Sequence, residues 1–88
     1  MIRVALADDQ PVVRMGLRVL IDREDDLELV GEADDGRSAL QLVRRTHPDV
    51  LLLDIRMPGM DGLAALREIT ADPTLVDTRV VIVTTFEI

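Results

Sequence analysis

With 88 residues the chain is the size of one domain or a piece of one, and a second core does not fit. Seventeen acids stand against 10 bases, all of them arginine, for a net charge of −7; such a chain repels phosphate backbones and anionic membrane, which disfavours nucleic acid and lipid as direct partners. The absence of cysteine excludes a disulfide framework and any thiolate site, no window nears the ~18 apolar residues of a membrane span, and no signal peptide opens the chain, so a cytoplasmic location is expected.

From Ile2, "IRVALADD" reads as a buried strand closing on two aspartates. "PVVRMGLRVLIDRE" follows with Val13, Leu17, Leu20 and Ile21 at helical spacing, and Pro11 suits the first turn, where its missing N–H is not needed. "LELVGEA", Leu27 to Ala33, is a second strand. "DDG" at 34–36 signals a turn and helix entry, and "RSALQLVRRT" carries Ala39, Leu40 and Val43 on one face until His47-Pro48 ends it. "DVLLLD" is the third strand. Asp61 can cap a helix "GLAALREIT" with Leu63, Leu66 and Ile69 as its stripe, and after the loop "ADPTLVDT" the chain enters a fourth strand, "RVVIVTTF".

The hydrophobic fraction is 48% with Phe86 as the one aromatic, so the core is aliphatic, as in a parallel sheet wrapped by helices. Strict alternation of strand and helix demands parallel strands and right-handed crossovers. Ligands of such sheets bind beyond the carboxyl ends of the strands. There the sequence places Asp8-Asp9 after strand one, Asp54 after strand three, and Thr84-Thr85 at the close of strand four.

If strands one and three are neighbours, three carboxylates converge where repulsion and partial burial make their charge costly. Oxygen ligands without His or Cys select Mg²⁺ or a similar ion. Such an ion can neutralise phosphoryl oxygens while a carboxylate attacks phosphorus, and Thr84 can donate its hydroxyl to the bound group. Blander readings stand beside this one. Asp61 reads first as an N-cap, whereas a cap needs one acid and Asp8-Asp9 are a pair. Thr84 alone is an ordinary strand residue. His47 and Arg44-Arg45 suit the C-terminal end of a helix dipole. Gly16, Gly31 and Gly36 lack phosphate-loop spacing, and without lysine there is no Walker-type loop.

"ALADDQPVVRMGL", "VLLLDIRMPGMDGLAAL" and "VIVTT" together resemble the receiver domain of bacterial two-component response regulators, and "VGEADDGRSAL" with "VVRMGLRVLI" resembles its NarL/FixJ subfamily. The resemblance implies a flavodoxin-like α/β fold, β1-α1-β2-α2-β3-α3-β4 with strand order 2-1-3-4. It makes Asp54 the phosphoacceptor for a sensor kinase's phosphohistidine. Asp9, Asp54 and the backbone carbonyl of Arg56 would bind Mg²⁺ or Mn²⁺, with Asp8 acting through water. Thr84 would contact the phosphoryl group and switch on activation, while Met57, Pro58 and Gly59 shape the adjoining loop. The chain ends where a fourth helix, a fifth strand with its lysine and a fifth helix are expected, and before any helix-turn-helix output domain. Residues 1–88 are therefore expected to be the N-terminal part of a receiver, not to bind DNA themselves, and to self-associate through the open edge of strand four.

Two other functions compete. A haloacid-dehalogenase-type phosphatase also uses a strand-end aspartate and Mg²⁺, but wants a second acid two positions on; Asp54 is followed by Ile55-Arg56 and Asp8 by Asp9-Gln10. A receiver-like interaction module without phosphotransfer is the other. The expected role is a regulatory phosphoacceptor, not an enzyme.

Overall fold

The computed structural model describes residues 1–57 and 61–83. Strands β1 (Ile2–Ala7), β2 (Leu27–Ala33), β3 (Val50–Leu53) and β4 (Arg79–Ile82) alternate with helices α1 (Pro11–Asp22), α2 (Gly36–Thr46) and α3 (Gly62–Ala71). The strands are parallel and lie in the order β2-β1-β3-β4, as expected. The loop read before β4 contains a 3-10 turn, Pro73–Leu75, that buries Leu75.

Local signals set the helix ends. The Asp35 carboxylate accepts the Ser38 N–H at 2.7 Å and Asp61 accepts the Ala64 N–H at 2.8 Å, each satisfying a donor that the first helical turn leaves free. His47 closes α2 in the left-handed region, φ 45°, and its N–H donates to Val43 O. Pro48 follows and cannot continue the helix. By contrast, α1 starts at Pro11 from Gln10, whose side chain makes no cap hydrogen bond, so neither Asp8 nor Asp9 serves as its N-cap.

Alternate residues of β1 feed two cores. Val4 and Leu6 join Ile21 and the half-buried Leu17 of α1, while Ala5 and Ala7 pack with Leu51, Leu53 and the apolar faces of α2 and α3. Small residues let α2 approach: a Cβ on Gly31 would stand 2.5 Å from Leu42 Cδ1. The register contains a bulge, because Val4 pairs with Leu29 but Ala5 pairs with Gly31, which leaves Val30 as the extra residue. Beyond it Glu32 pairs with Leu6 and so shares the α1 face of the sheet.

Two helical stripes differ from the sequence reading. In α3 the buried residues are Gly62, Ala65 and Ile69, with Leu66 half-buried and Leu63 46% exposed. Gly62 lies directly against the backbone of Asp54 and Ile55, and this close approach turns the small residues inward. In α1, Ile21 is buried and Leu20 is 59% exposed, since the helix rests across β2 and β1 with no described helix on its outer flank. The fourth strand ends at Ile82, with Val83 still donating to Leu53 O at 2.9 Å. The expected extension through Thr84, Thr85 and Phe86 lies outside the described residues.

Candidate functional site

The parallel register brings the strand ends together. Ala7 pairs with both Ala33 and Leu53, so Asp8 and Asp54 are the next residues on adjacent strands. Both backbones stay in the ladder: Asp8 N–H donates to Ala33 O at 3.0 Å and Asp54 N–H to Ala7 O at 2.8 Å. The two side chains are 2% and 1% exposed, and Asp9 is half-buried beside them. One carboxylate oxygen from each of Asp8, Asp9 and Asp54 lies within 4.8 Å of the others.

Each buried carboxylate has one oxygen occupied. Asp8 Oδ1 accepts the Gln10 N–H at 2.8 Å and Asp54 Oδ1 accepts the Arg56 N–H at 2.9 Å, both reaching two residues ahead. The remaining oxygens, Asp8 Oδ2 and Asp54 Oδ2, are buried without a hydrogen-bond partner among the described residues, as is Asp9 Oδ1. Burial pushes the Asp8 carboxyl above its usual range, and the charges of Asp54 and Asp9 add to the shift against the Gln10 N–H and Arg14. Three buried, unpartnered carboxylate oxygens in one acid cluster are costly unless a cation joins them. The donor set is all oxygen, which suits a hard divalent ion.

The other expected site residues divide by position. Met57 is buried in the α2–α3 core, so the start of the loop after β3 is anchored by packing. Arg56 is exposed and its N–H holds Asp54. Pro58, Gly59 and Thr84 lie outside the described residues.

Arg14 and Glu32 are assigned no role from the sequence, yet they sit at the rim. Arg14 Nη1 donates to the Asp8 carbonyl at 2.5 Å, and Arg14 Nε lies 3.4 Å from Glu32 Oε1. Arg18 grips both oxygens of Glu32 at 2.8 Å, and these guanidinium contacts hold the Glu32 carboxyl below its usual range. An arginine on a helix and a glutamate on a strand are ordinary surface residues until the bulge at Val30 sets Glu32 facing α1.

The sequence and the sheet topology are matched by known proteins. The sequence profile of the response regulator receiver domain covers residues 4–87. YxjL of Bacillus subtilis, described as a transcriptional regulatory protein, is 46% identical over 86 residues, 98% of this chain and 38% of its own length. The signal receiver domain of NarL from Mycobacterium tuberculosis superposes with a TM-score of 0.88 at 38% identity, over 98% of this chain and 68% of that one. A LuxR-family DNA-binding response regulator from Staphylococcus aureus gives a TM-score of 0.87 at 37% identity, covering 99% of this chain and 71% of that one. The chain belongs to the response regulator receiver domains, and its relatives are of the NarL/LuxR type. It spans about two fifths of the length of the curated regulators it matches.

Proposed function

We propose that the chain is the phosphoacceptor part of a two-component response regulator, receiving a phosphoryl group on Asp54 from the phosphohistidine of a sensor kinase in the cytoplasm. The observation that carries this reading is the set of unpartnered, buried oxygens on Asp8, Asp9 and Asp54 at one edge of the sheet. Asp9, Asp54 and the Arg56 carbonyl would hold Mg²⁺ or Mn²⁺, with Asp8 joining through water. When bound, that ion supplies positive charge to the phosphoryl oxygens.

The residues account for the rest of the step. Asp54 Oδ1 is engaged by the Arg56 N–H, which leaves Oδ2 as the nucleophile. Its attack forms a P–O bond in line with the P–N bond that breaks, and the electron pair of the latter goes to the imidazole nitrogen. The product is an acyl phosphate on Asp54. The ladder bond from Asp54 N–H to Ala7 O fixes the main chain, so the carboxylate presents one geometry to the donor. Thr84, the residue after Val83, is the proposed phosphoryl contact and switch, and Pro58 and Gly59 the loop beside it.

The chain acts as a regulatory acceptor and has no catalytic turnover on an outside substrate in this reading. The whole protein is proposed to be a DNA-binding transcriptional regulator, as its relatives are described, with DNA engaged by a part other than this acidic chain. Incubation of the intact protein with a small acyl phosphate and Mg²⁺, borohydride trapping and peptide mass spectrometry should place the label on Asp54 alone. Undiminished labelling of Asp54→Asn would overturn the assignment.

A further inference from the structure

The backbone of Asp8 is held at both of its polar groups. Its N–H is in the ladder to Ala33 O, and its carbonyl accepts Arg14 Nη1, while its Oδ1 accepts the Gln10 N–H. With these three fixed, Oδ2 is buried without a partner among the described residues, and one carboxylate oxygen of Asp8 lies within 4.8 Å of one each from Asp9 and Asp54. Of the three tethers, two are backbone groups close in the chain or the sheet. The third comes from a side chain on α1.

We infer that Arg14 is a positioning residue for the acid cluster: its guanidinium, steadied by Glu32, clamps the Asp8 carbonyl and so sets how Asp8 and Asp9 present their oxygens to a divalent cation. The inference deepens the proposed function and rests on it. Arg14 is itself held. Its side chain and that of Glu32 are 19% and 22% exposed, and Glu32 is gripped from the far side by Arg18 in a two-bond fork, which fixes the carboxylate plane that Arg14 meets. The chain of contacts runs from the bulge at Val30, through Glu32 and Arg14, to the peptide joining Asp8 to Asp9.

Charge and position make opposite forecasts for Arg14. A guanidinium beside a cation site repels the cation, so if its charge were all that mattered, its removal would tighten binding. A clamp has the reverse effect, because without it the Asp8–Asp9 peptide is free to turn and the carboxylates lose their common aim. The sign of the change therefore separates the two roles.

The test is Mn²⁺ affinity, read from the electron paramagnetic resonance signal of the free ion, in the intact protein and in the variants R14A, R14K and E32Q. R14A is expected to bind Mn²⁺ about tenfold more weakly, the scale of one lost charge-assisted hydrogen bond. E32Q, which leaves Arg14 in place with a weaker holder, should show a smaller loss, and R14K should recover part of the R14A deficit. If R14A does not fold, R14K and E32Q decide, and parental affinity in both overturns the inference. Equal or tighter binding by a folded R14A overturns it while leaving the acceptor reading intact. Failure of the parent protein to bind Mn²⁺ at all would remove both.

Discussion

Asp8 and Asp54 present their carboxylates in the same way from neighbouring strands. In each, Oδ1 accepts a backbone N–H two residues ahead, from Gln10 at 2.8 Å and Arg56 at 2.9 Å, and Oδ2 is left buried without a partner. The repeat follows from topology. Two parallel strands that end in register at Ala7 and Leu53 deliver their next residues to one rim, and an aspartate at a turn bonds its own chain.

Without a divalent cation the cluster should be a stability liability. Burial raises the Asp8 pKa above its ordinary value of 3.8, reinforced by Asp54 and Asp9. A raised carboxyl pKa means that the folded state holds the proton longer than the unfolded one. Stability is then lost as pH rises from the ordinary value through the folded one, and the loss persists at neutral pH. Asp8→Asn is expected to unfold at a higher temperature than the parent at pH 7 in chelator. Its advantage should vanish as pH falls below the ordinary carboxylate range, and thermal unfolding at several pH values would show it.

Divalent cation should reverse that liability. Mg²⁺ added at a hundredfold excess over its Kd is expected to stabilise the fold by ~2.7 kcal/mol, by mass action on the folded state. Asp9→Ala should keep the fold and lose most of this gain, since Asp9 is half-buried and takes part in no described hydrogen bond of its side chain Oδ1. Calorimetry of both proteins with and without Mg²⁺ checks it, and equal gains would exclude Asp9 as a ligand.

Two glycines in helices should respond oppositely to alanine. A Cβ on Gly62 would overlap the backbone of Asp54 and Ile55, which cannot swing aside as a side chain can. Gly62→Ala is expected to cost about 1–3 kcal/mol and to disturb Asp54. Gly16 on α1 has nothing within 4 Å of such a Cβ, so Gly16→Ala should stabilise by about 1 kcal/mol through helix propensity. Denaturant unfolding of the two variants would separate them.

Prepared as the 88-residue polypeptide, the chain is expected to self-associate. β4 is an outer strand of the described sheet, with Val81 48% and Ile82 42% exposed. Unpaired strand edges template pairing with another copy, and burial of the apolar surface adds ~25 cal/mol per Å². Light scattering of mass-verified material should detect species larger than a monomer. A monodisperse, cooperatively unfolding monomer at micromolar concentrations would contradict the expectation.

Much of the architecture is legible in the sequence because its signals are local. Asp35 and Asp61 cap the helices they precede, Pro11 opens α1, and aliphatic runs mark the strands. The convergence of Asp8, Asp9 and Asp54 was legible for a related reason, since an acid at the end of an apolar strand has few structural uses. What stayed hidden depends on distant partners. Leu63 looks like a core residue until Gly62 turns α3 against Asp54 and Ile55, and Leu20 matches the helical period although no described element covers it. Arg14 gains its role only when Glu32 is brought to the same face, and no spacing rule foretells a bulge.

That bulge makes β2 a strand of two phases. Leu29 and Glu32 both face α1 although three positions apart, where an unbroken strand would send them to opposite sides. The pairing of β2 is thus part of its code. A regular ladder that took Val30 into the alternation would rotate Glu32 toward α2, setting a carboxylate against the apolar layer of Leu40 and Leu42, and would leave Arg14 and Arg18 without their anion. A change of pairing in the middle of a strand would reach the acid rim without changing a single acid there.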